Sequence, residues 1–340
     1  MFKKLLGFMS KSIAMDLGTA NTLIYTPKDG IVLNEPSVVA LDSRDGRVLA
    51  VGREAKEFLG RTPRKIVAIR PLKDGVIADF DVTNAMITFF IKKVIKGMRL
   101  LKPRVVICVP TGITQVEKRA VIESGIRSGA REVRLVEEPM GAAIGARMPI
   151  EDPIGNLVVD IGGGTTEVAT ISLSAVAYSE SVRIAGDEMN EAIQRYVQDH
   201  HQILIGENMA EKVKIAIGSA IPIDDNMTFK VTGKNLVHGN PKSVIVKQGE
   251  IREAIREPVS AIVMAVRRAL EKTPPDLVAD ISEQGLLLAG GGALLKGLDK
   301  LISQEVNVDV HIDDDPLTTV VRGAGIVLSH EKRFSNVYIN

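Results

Sequence analysis

Asp160-Ile161-Gly162-Gly163-Gly164-Thr165-Thr166 repeats in outline an earlier stretch, Asp16-Leu17-Gly18-Thr19-Ala20-Asn21-Thr22. Both read Asp, apolar, Gly, three residues, Thr. Apolar runs lead into them, Ile13-Ala14-Met15 and Leu157-Val158-Val159, and strand-like residues follow, Leu23-Ile24-Tyr25 and Val168-Ala169-Thr170-Ile171. Each copy therefore predicts strand, tight turn, strand, with a carboxylate at the mouth of the turn. Two such hairpins facing each other suit the two sides of a metal-bound polyphosphate. Glycine lets a bare backbone approach phosphate closely, and consecutive N–H groups in such a turn form an anion cradle. Asp16 and Asp160 would repel phosphate directly, so they require a divalent cation between, Mg²⁺ held largely through water. Hydroxyls on Thr19, Thr165 and Thr166 can donate to phosphate oxygens or orient water.

The chain around these hairpins has 340 residues, enough for two modest domains, and its 45% hydrophobic content supports a core. A formal net charge of +1, with acids and bases mixed throughout, gives no footprint for nucleic acid. The single cysteine, Cys108, excludes an intramolecular disulfide and fits a reducing compartment. It sits in the strand-like run 104–109, where it reads as a small buried hydrophobe. No run reaches the roughly 18 apolar residues of a membrane span, and the first eleven residues lack the features of a signal peptide.

Strand signals fall at about 13–25, 31–40, 104–109, 133–136, 157–161, 168–173, 244–247 and 286–289, with helical periodicity over 83–97, 114–128, 188–204 and 251–271. This alternation predicts an α/β fold. Gly186 and Asp187 suit a helix start, and Thr273-Pro274-Pro275 ends the helix at 251–271. The stretch 149–155, with two prolines and two acids, reads as a junction between halves.

Two further motifs carry chemistry. Gly290-Gly291-Gly292 follows the apolar run 286–289, and Ala293-Leu294-Leu295 then read as opening a helix. That arrangement offers free N–H groups to a phosphate or a flat base. No Walker loop or Rossmann fingerprint is present. Glu137-Glu138-Pro139 places a carboxylate at a strand end. Glu138 either orients a hydrolytic water or simply begins a solvated helix.

Taken in order, these elements resemble the actin, Hsp70 and sugar-kinase superfamily, and within it the MreB family of bacterial actin homologues. The stretches that carry the resemblance lie between Ile13 and Leu328. They are the two hairpins, Asn34-Glu-Pro-Ser-Val-Val-Ala, Gly60-Arg-Thr-Pro, Arg70-Pro-Leu-Lys-Asp-Gly-Val-Ile-Ala-Asp, Glu137-Glu-Pro-Met and Gly290-Gly-Gly-Ala-Leu-Leu. The resemblance implies an actin-like fold of two duplicated α/β domains around a nucleotide cleft, each with a smaller subdomain. Domain I is expected over 1–150, its smaller part around 33–75, with a final helix at about 316–330 returning to it. Domain II is expected over 151–315, its smaller part around 187–247.

The resemblance also implies ATP and Mg²⁺ as ligands, slow ATPase activity and homopolymer filaments. It gives Asp16 and Asp160 to the metal and the attacking water. Thr19, Ala20 and Asn21 become the first phosphate loop, Gly162, Gly163 and Gly164 the second, with Gly18 and Gly186 beside them. Glu138 and Thr165 match positions that orient the water. Glu211, Lys212, Val213 and Lys214 match an adenosine-contacting helix opposite Gly290, Gly291, Gly292, Ala293 and Leu294. Residue chemistry alone reads 211–214 as a solvated helix face. Four departures from relatives stand out. The first hairpin lacks the lysine that actin carries there. Ala289 and Ala216 replace a common threonine and glutamate. Gly141 replaces a common alanine and is expected to loosen the helix after Glu138 by about 1 kcal/mol.

At the N-terminus Phe2, Leu5, Leu6 and Met9 share one helical face, with Lys3, Lys4 and Lys11 supplying charge. This segment is either a basic amphipathic membrane anchor or a frayed end. Leu100 and Leu101 in the stretch 97–103 either insert beside it or pack on the core. Membrane-attaching members of the family use both places. The implied setting is the cytoplasm, on the inner face of the cytoplasmic membrane, with the cell-wall elongation machinery as partner and rod shape as the outcome. The competing readings are a metabolite kinase, which needs an acceptor pocket, and an Hsp70-like ATPase module, which needs a peptide-binding domain downstream.

Overall fold

A computed structural model of the chain describes residues 12–61, 65–73, 75–95, 102–224 and 226–339. Two five-stranded sheets dominate it, and they have the same topology. In the first, Ile13–Leu17, Asn21–Thr26 and Gly30–Pro36 form an antiparallel meander, and Arg104–Val109 then Glu132–Glu137 add in parallel on the far side of Ile13–Leu17. In the second, Asn156–Ile161, Thr166–Ser172 and Ala175–Val182 form the meander, and Leu286–Ala289 then Val310–Ile312 add in parallel. The registers coincide. Asp16 stands opposite Leu23 and beside Cys108, and Asp160 opposite Glu167 and beside Ala289.

The central strands are apolar on both faces because both faces are covered. Leu157, Val158 and Val159 are all fully buried, as are Val105, Ile107 and Cys108. Unbroken apolar runs are what a parallel core strand requires. Between the two sheets lie the helices Glu138–Gly145 and Thr319–Ser329. Their shared cluster includes Ala14, Val106 and Val136 from one sheet and Val158, Ala169 and Leu287 from the other. The helices cross on glycine. A Cβ on Gly323 would lie 1.8 Å from the Gly141 carbonyl oxygen, and one on Gly145 would lie 2.0 Å from that of Thr319. Gly141 therefore serves a close helix–helix approach. A Cβ on Gly141 itself would meet Cys108 Sγ at 3.1 Å and the Val320 carbonyl oxygen at 3.3 Å, so that position is tight, and the severe overlaps belong to Gly145 and Gly323.

Two three-stranded sheets sit on the outer flanks: Val39–Asp42, Val48–Val51 and Ile66–Ile69 with the helix Arg53–Phe58, and Ile203–Leu204, Thr228–Asn235 and Pro241–Lys247. The helix expected over 251–271 is two, Gln248–Ala254 and Arg256–Lys272. Pro258 has no N–H for the Ala254 carbonyl, so the ladder breaks there. Ala175–Val182 and Thr228–Asn235 escaped the periodicity reading because each leaves much of its length at least partly exposed. No helix among the described residues is long and apolar enough to cross a membrane.

Candidate functional site

The duplicated registers bring the two Asp–Gly turns face to face in a cleft of about 530 Å³. The first turn is braced from outside. Ser37 donates from its side chain to the Gly18 carbonyl at 2.6 Å and from its backbone to the Ala20 carbonyl at 3.0 Å. The second closes through Gly162 N–H to the Thr165 carbonyl at 2.9 Å. The turns touch, since a Cβ on Gly163 would come within 2.7 Å of the Ala20 Cβ. Gly290 has φ +77, and a Cβ there would lie 2.3 Å from Asp160 Oδ1. The third glycine cluster is thus packed against the second hairpin. It continues as a 3₁₀ turn, Gly291–Leu294, and the next α-helix begins only at Leu298. The helix start expected at Ala293 is displaced by this close packing.

Asp16, Gly18, Thr19, Ala20, Asn21, Glu138, Asp160, Gly162, Gly163, Thr165 and Gly186 all line the cleft, as do Gly290, Gly291, Gly292 and Leu294. Gly164 and Ala293 are buried behind that lining. Thr166 is also withdrawn: its hydroxyl donates to the Ile184 carbonyl at 2.7 Å. On the helix Glu207–Ile217, Glu211, Lys214, Ile215 and Gly218 face the cleft. Lys212 is exposed and Val213 is in the core. The 3.6-residue period explains the split, because positions three, four and seven beyond Glu211 return to its face, whereas Lys212 and Val213, one and two beyond it, turn away. Phe2, Leu5, Leu6, Met9, Leu100 and Leu101 lie outside the described residues.

Carboxylates concentrate here: Asp16, Asp160 and Glu138 line the cleft and Glu167 lies behind that lining. Burial, and then the charge of Asp160, pushes Asp16 up to about 8. Burial raises Asp160 to about 6. Glu167 rises to about 8 by burial, against the opposing pull of its hydrogen bonds from Thr111. Glu138 rises well above the usual range through burial, then through the charges of Glu167, Asp16 and Asp160. Its Oε1 is buried and has no hydrogen-bond partner. Buried anions with too few donors are costly unless a cation joins them. An all-oxygen donor set fits a hard divalent cation such as Mg²⁺. Among the described residues no three His, Cys, Asp or Glu side chains come close enough to cage an ion directly. A cation here would therefore keep much of its water.

Arg70, Lys56 and Asn190 also line the cleft, and nothing in the local sequence assigns them a role there. Arg70 reaches across to Asp187 at 3.3 Å and also pairs with Glu207, while Lys56 pairs with Glu211 at 3.0 Å. Lys214 donates to the Gly186 carbonyl at 2.6 Å, and burial lowers its proton affinity. Asn190 lines the cleft with a buried Oδ1 that lacks a partner. Arg70 stands in one of the stretches that carried the family resemblance, and that was the one available signal.

The sequence profile of the MreB/Mbl protein family matches residues 10–336. The cell shape-determining protein MreB of Escherichia coli (strain K12) is 54% identical over 333 residues, covering 96% of each chain. The cell shape-determining protein Mbl of Bacillus subtilis (strain 168) is 49% identical over 322 residues, covering 94% of this chain and 96% of that one. Among solved structures, MreB5 of Spiroplasma citri bound to ADP superimposes with a TM-score of 0.90 at 34% identity, covering 96% of this chain and 99% of that one. The same protein bound to AMPPNP gives 0.89.

Proposed function

This chain belongs to the MreB/Mbl family, and on that premise we propose that it is an ATP-binding, slowly ATP-hydrolysing cytoskeletal protein that polymerises into membrane-associated filaments. It organises cell-wall synthesis and so determines rod shape. One observation carries the nucleotide part of this reading: two Asp–Gly turns, at equivalent registers of two sheets of equal topology, meet across a single cleft. A polyphosphate between them touches both halves at once.

Each residue then has a task. Backbone N–H groups of 18–21 and 162–164 cradle the phosphates, and Lys214 adds positive charge beside Gly186. Asp16 and Asp160 would hold Mg²⁺, largely through water. When bound there, Mg²⁺ supplies the positive charge that lets carboxylates and phosphates share one site. Glu138 and Thr165 orient the attacking water, Glu138 with an oxygen that has no protein partner. Glu211, Lys214 and Leu294 border the adenosine. Solved structures of the Spiroplasma relative hold ADP or AMPPNP, and these ligands suit a cleft of this chemistry.

Polymerisation follows from scale as well as kinship. A cell outline is far larger than one 36.7 kDa subunit, so a shape-determining protein must act as an assembly. The sequence pattern of the N-terminal segment and of the Leu100-Leu101 stretch supports attachment of the filament to an anionic inner membrane face. Light scattering and pelleting with ATP and Mg²⁺ test the filament. Polymers that form only with nucleotide support it, and no pellet across protein, salt and lipid conditions overturns it. Phosphate release without any added acceptor separates it from a metabolite kinase. Removal of residues 1–9 together with polar replacement of Leu100 and Leu101 abolishes co-sedimentation with anionic liposomes; unchanged binding removes the membrane assignment.

A further inference from the structure

The duplicated fold contains its own control for one buried acid. Leu23 and Glu167 occupy equivalent positions, each opposite the aspartate of its hairpin. Leu23 is 4% exposed and Glu167 1%. The fold therefore accepts an apolar side chain at this register, and the carboxylate in the second half is not a packing requirement. Burying it is unfavourable unless its oxygens are well bonded.

Its bonds go to the other half. The Thr111 backbone N–H donates to both Glu167 oxygens at 3.0 Å, and the Thr111 hydroxyl donates to Oε2 at 3.0 Å. Ser181 adds a longer contact of 3.4 Å to Oε1 from the neighbouring strand. Thr111 lies two residues beyond Val109, which pairs in register with Glu137, the residue before Glu138. Pro110 and Val109 line the cleft, whereas Glu167 does not. Glu167 thus ties the strand ends that carry Glu138 to the hairpin that carries Asp160, without entering the ligand space.

We propose that Glu167 is a positioning residue for hydrolysis: it fixes the separation between Glu138 and the second phosphate turn by accepting hydrogen bonds from Thr111 across the two halves. The proposal rests on the ATPase reading given above. A water-orienting carboxylate on one half can act on a phosphate held by the other only while that separation is kept. Misplacement of about an ångström is enough to cost such a reaction roughly a hundredfold.

The test compares Glu167→Leu, which copies the first half, with Glu167→Gln, which keeps an acceptor oxygen. Single-turnover phosphate release and binding of a fluorescent ATP analogue are measured on the full chain with Mg²⁺. Expected for E167L is a rate lower by roughly 10- to 100-fold with nucleotide affinity within about threefold, and E167Q restoring most of the rate. If E167L fails to fold, Glu167→Met, similar in shape but without the acceptor, carries the same expectation. A wild-type rate in E167L or E167M overturns the proposal, as does an equal rate loss in E167Q or a loss of binding that matches the loss of rate. Absence of phosphate release from the wild type overturns the ATPase reading itself, and this inference with it.

Discussion

Arg70 of the first half pairs across the cleft with Asp187, whose own backbone N–H donates to the Gly163 carbonyl at 2.8 Å. One residue thus connects the second phosphate turn to the opposite flank of the molecule. Arg70 also holds Glu207, so two acids depend on one guanidinium. These side chains are partly exposed, which limits each pair to modest worth. Arg70→Ala leaves Asp187, which lines the cleft, and Glu207 without this guanidinium. The expected result is ATP affinity weaker by roughly three- to thirtyfold, about 1–2 kcal/mol, and a higher protein concentration needed for assembly. Titration with a fluorescent ATP analogue and pelleting measure the two. Unchanged values in both would show that neither nucleotide binding nor assembly uses this pair.

The carboxylate floor makes the ligand-free protein sensitive to pH. Asp16 moves from 3.8 to about 8 on folding, and Glu167 from 4.5 to about 8. Each binds its proton more tightly in the folded state than in the unfolded chain. Their contribution is complete below the unfolded values and is lost as pH rises through the folded ones. Asp16→Asn removes one of these groups. In Mg²⁺-free buffer the melting temperature of D16N should exceed that of wild type, by a margin that widens from about pH 5 to about pH 8. The variant should lose most of its Mg²⁺-dependent nucleotide binding over the same range. A pH-independent difference in melting temperature would mean that Asp16 is ionised in the free protein.

The hairpins were legible because their signal is local: an aspartate, glycines and flanking apolar runs within a dozen residues. Duplication made that signal stronger, and the two sheets now explain it as one topology used twice. What escaped was set by distance or by phase. Arg70 meets partners 117 and 137 positions away, and no local pattern announces them. Lys212 and Val213 share a helix with Glu211 and Lys214, but neither lines the cleft. Thr166 was given a phosphate-facing hydroxyl, and its strand turns it toward Ile184 instead. Glu167 directly follows the second hairpin motif and carries no local sign of its task, because its meaning depends on Thr111 and on the comparison with Leu23.

Gly323 offers a test of the crossing between the halves. A methyl group there would stand 1.8 Å from the Gly141 carbonyl oxygen, so the helices would have to separate. Gly206 starts the helix Glu207–Ile217 with nothing within 4 Å of a Cβ. Gly323→Ala should destabilise by about 3 kcal/mol, the upper end for overpacking, and Gly206→Ala by about 1 kcal/mol or less. Urea unfolding of the two variants side by side gives the comparison. Equal midpoints would mean that the crossing relaxes without strain.

Glu138 and Thr165 are the residues on which the hydrolytic reading depends. Both line the cleft, and neither is needed to build the turns: Thr165 closes its turn through its backbone carbonyl, which alanine retains. Glu138 has an oxygen without a protein partner, so its removal breaks no hydrogen bond there and relieves charge from Asp16 and Asp160. Glu138→Ala and Thr165→Ala should therefore keep ATP affinity within about threefold while slowing phosphate release by roughly 10²–10⁴-fold. If filaments are weakened by hydrolysis, both variants should also assemble with ATP and persist longer than wild type, and a time course of light scattering would show it. Loss of ATP binding in either variant would move that residue from the reaction to the ligand cradle. Persistence without a slower phosphate release would separate disassembly from hydrolysis altogether.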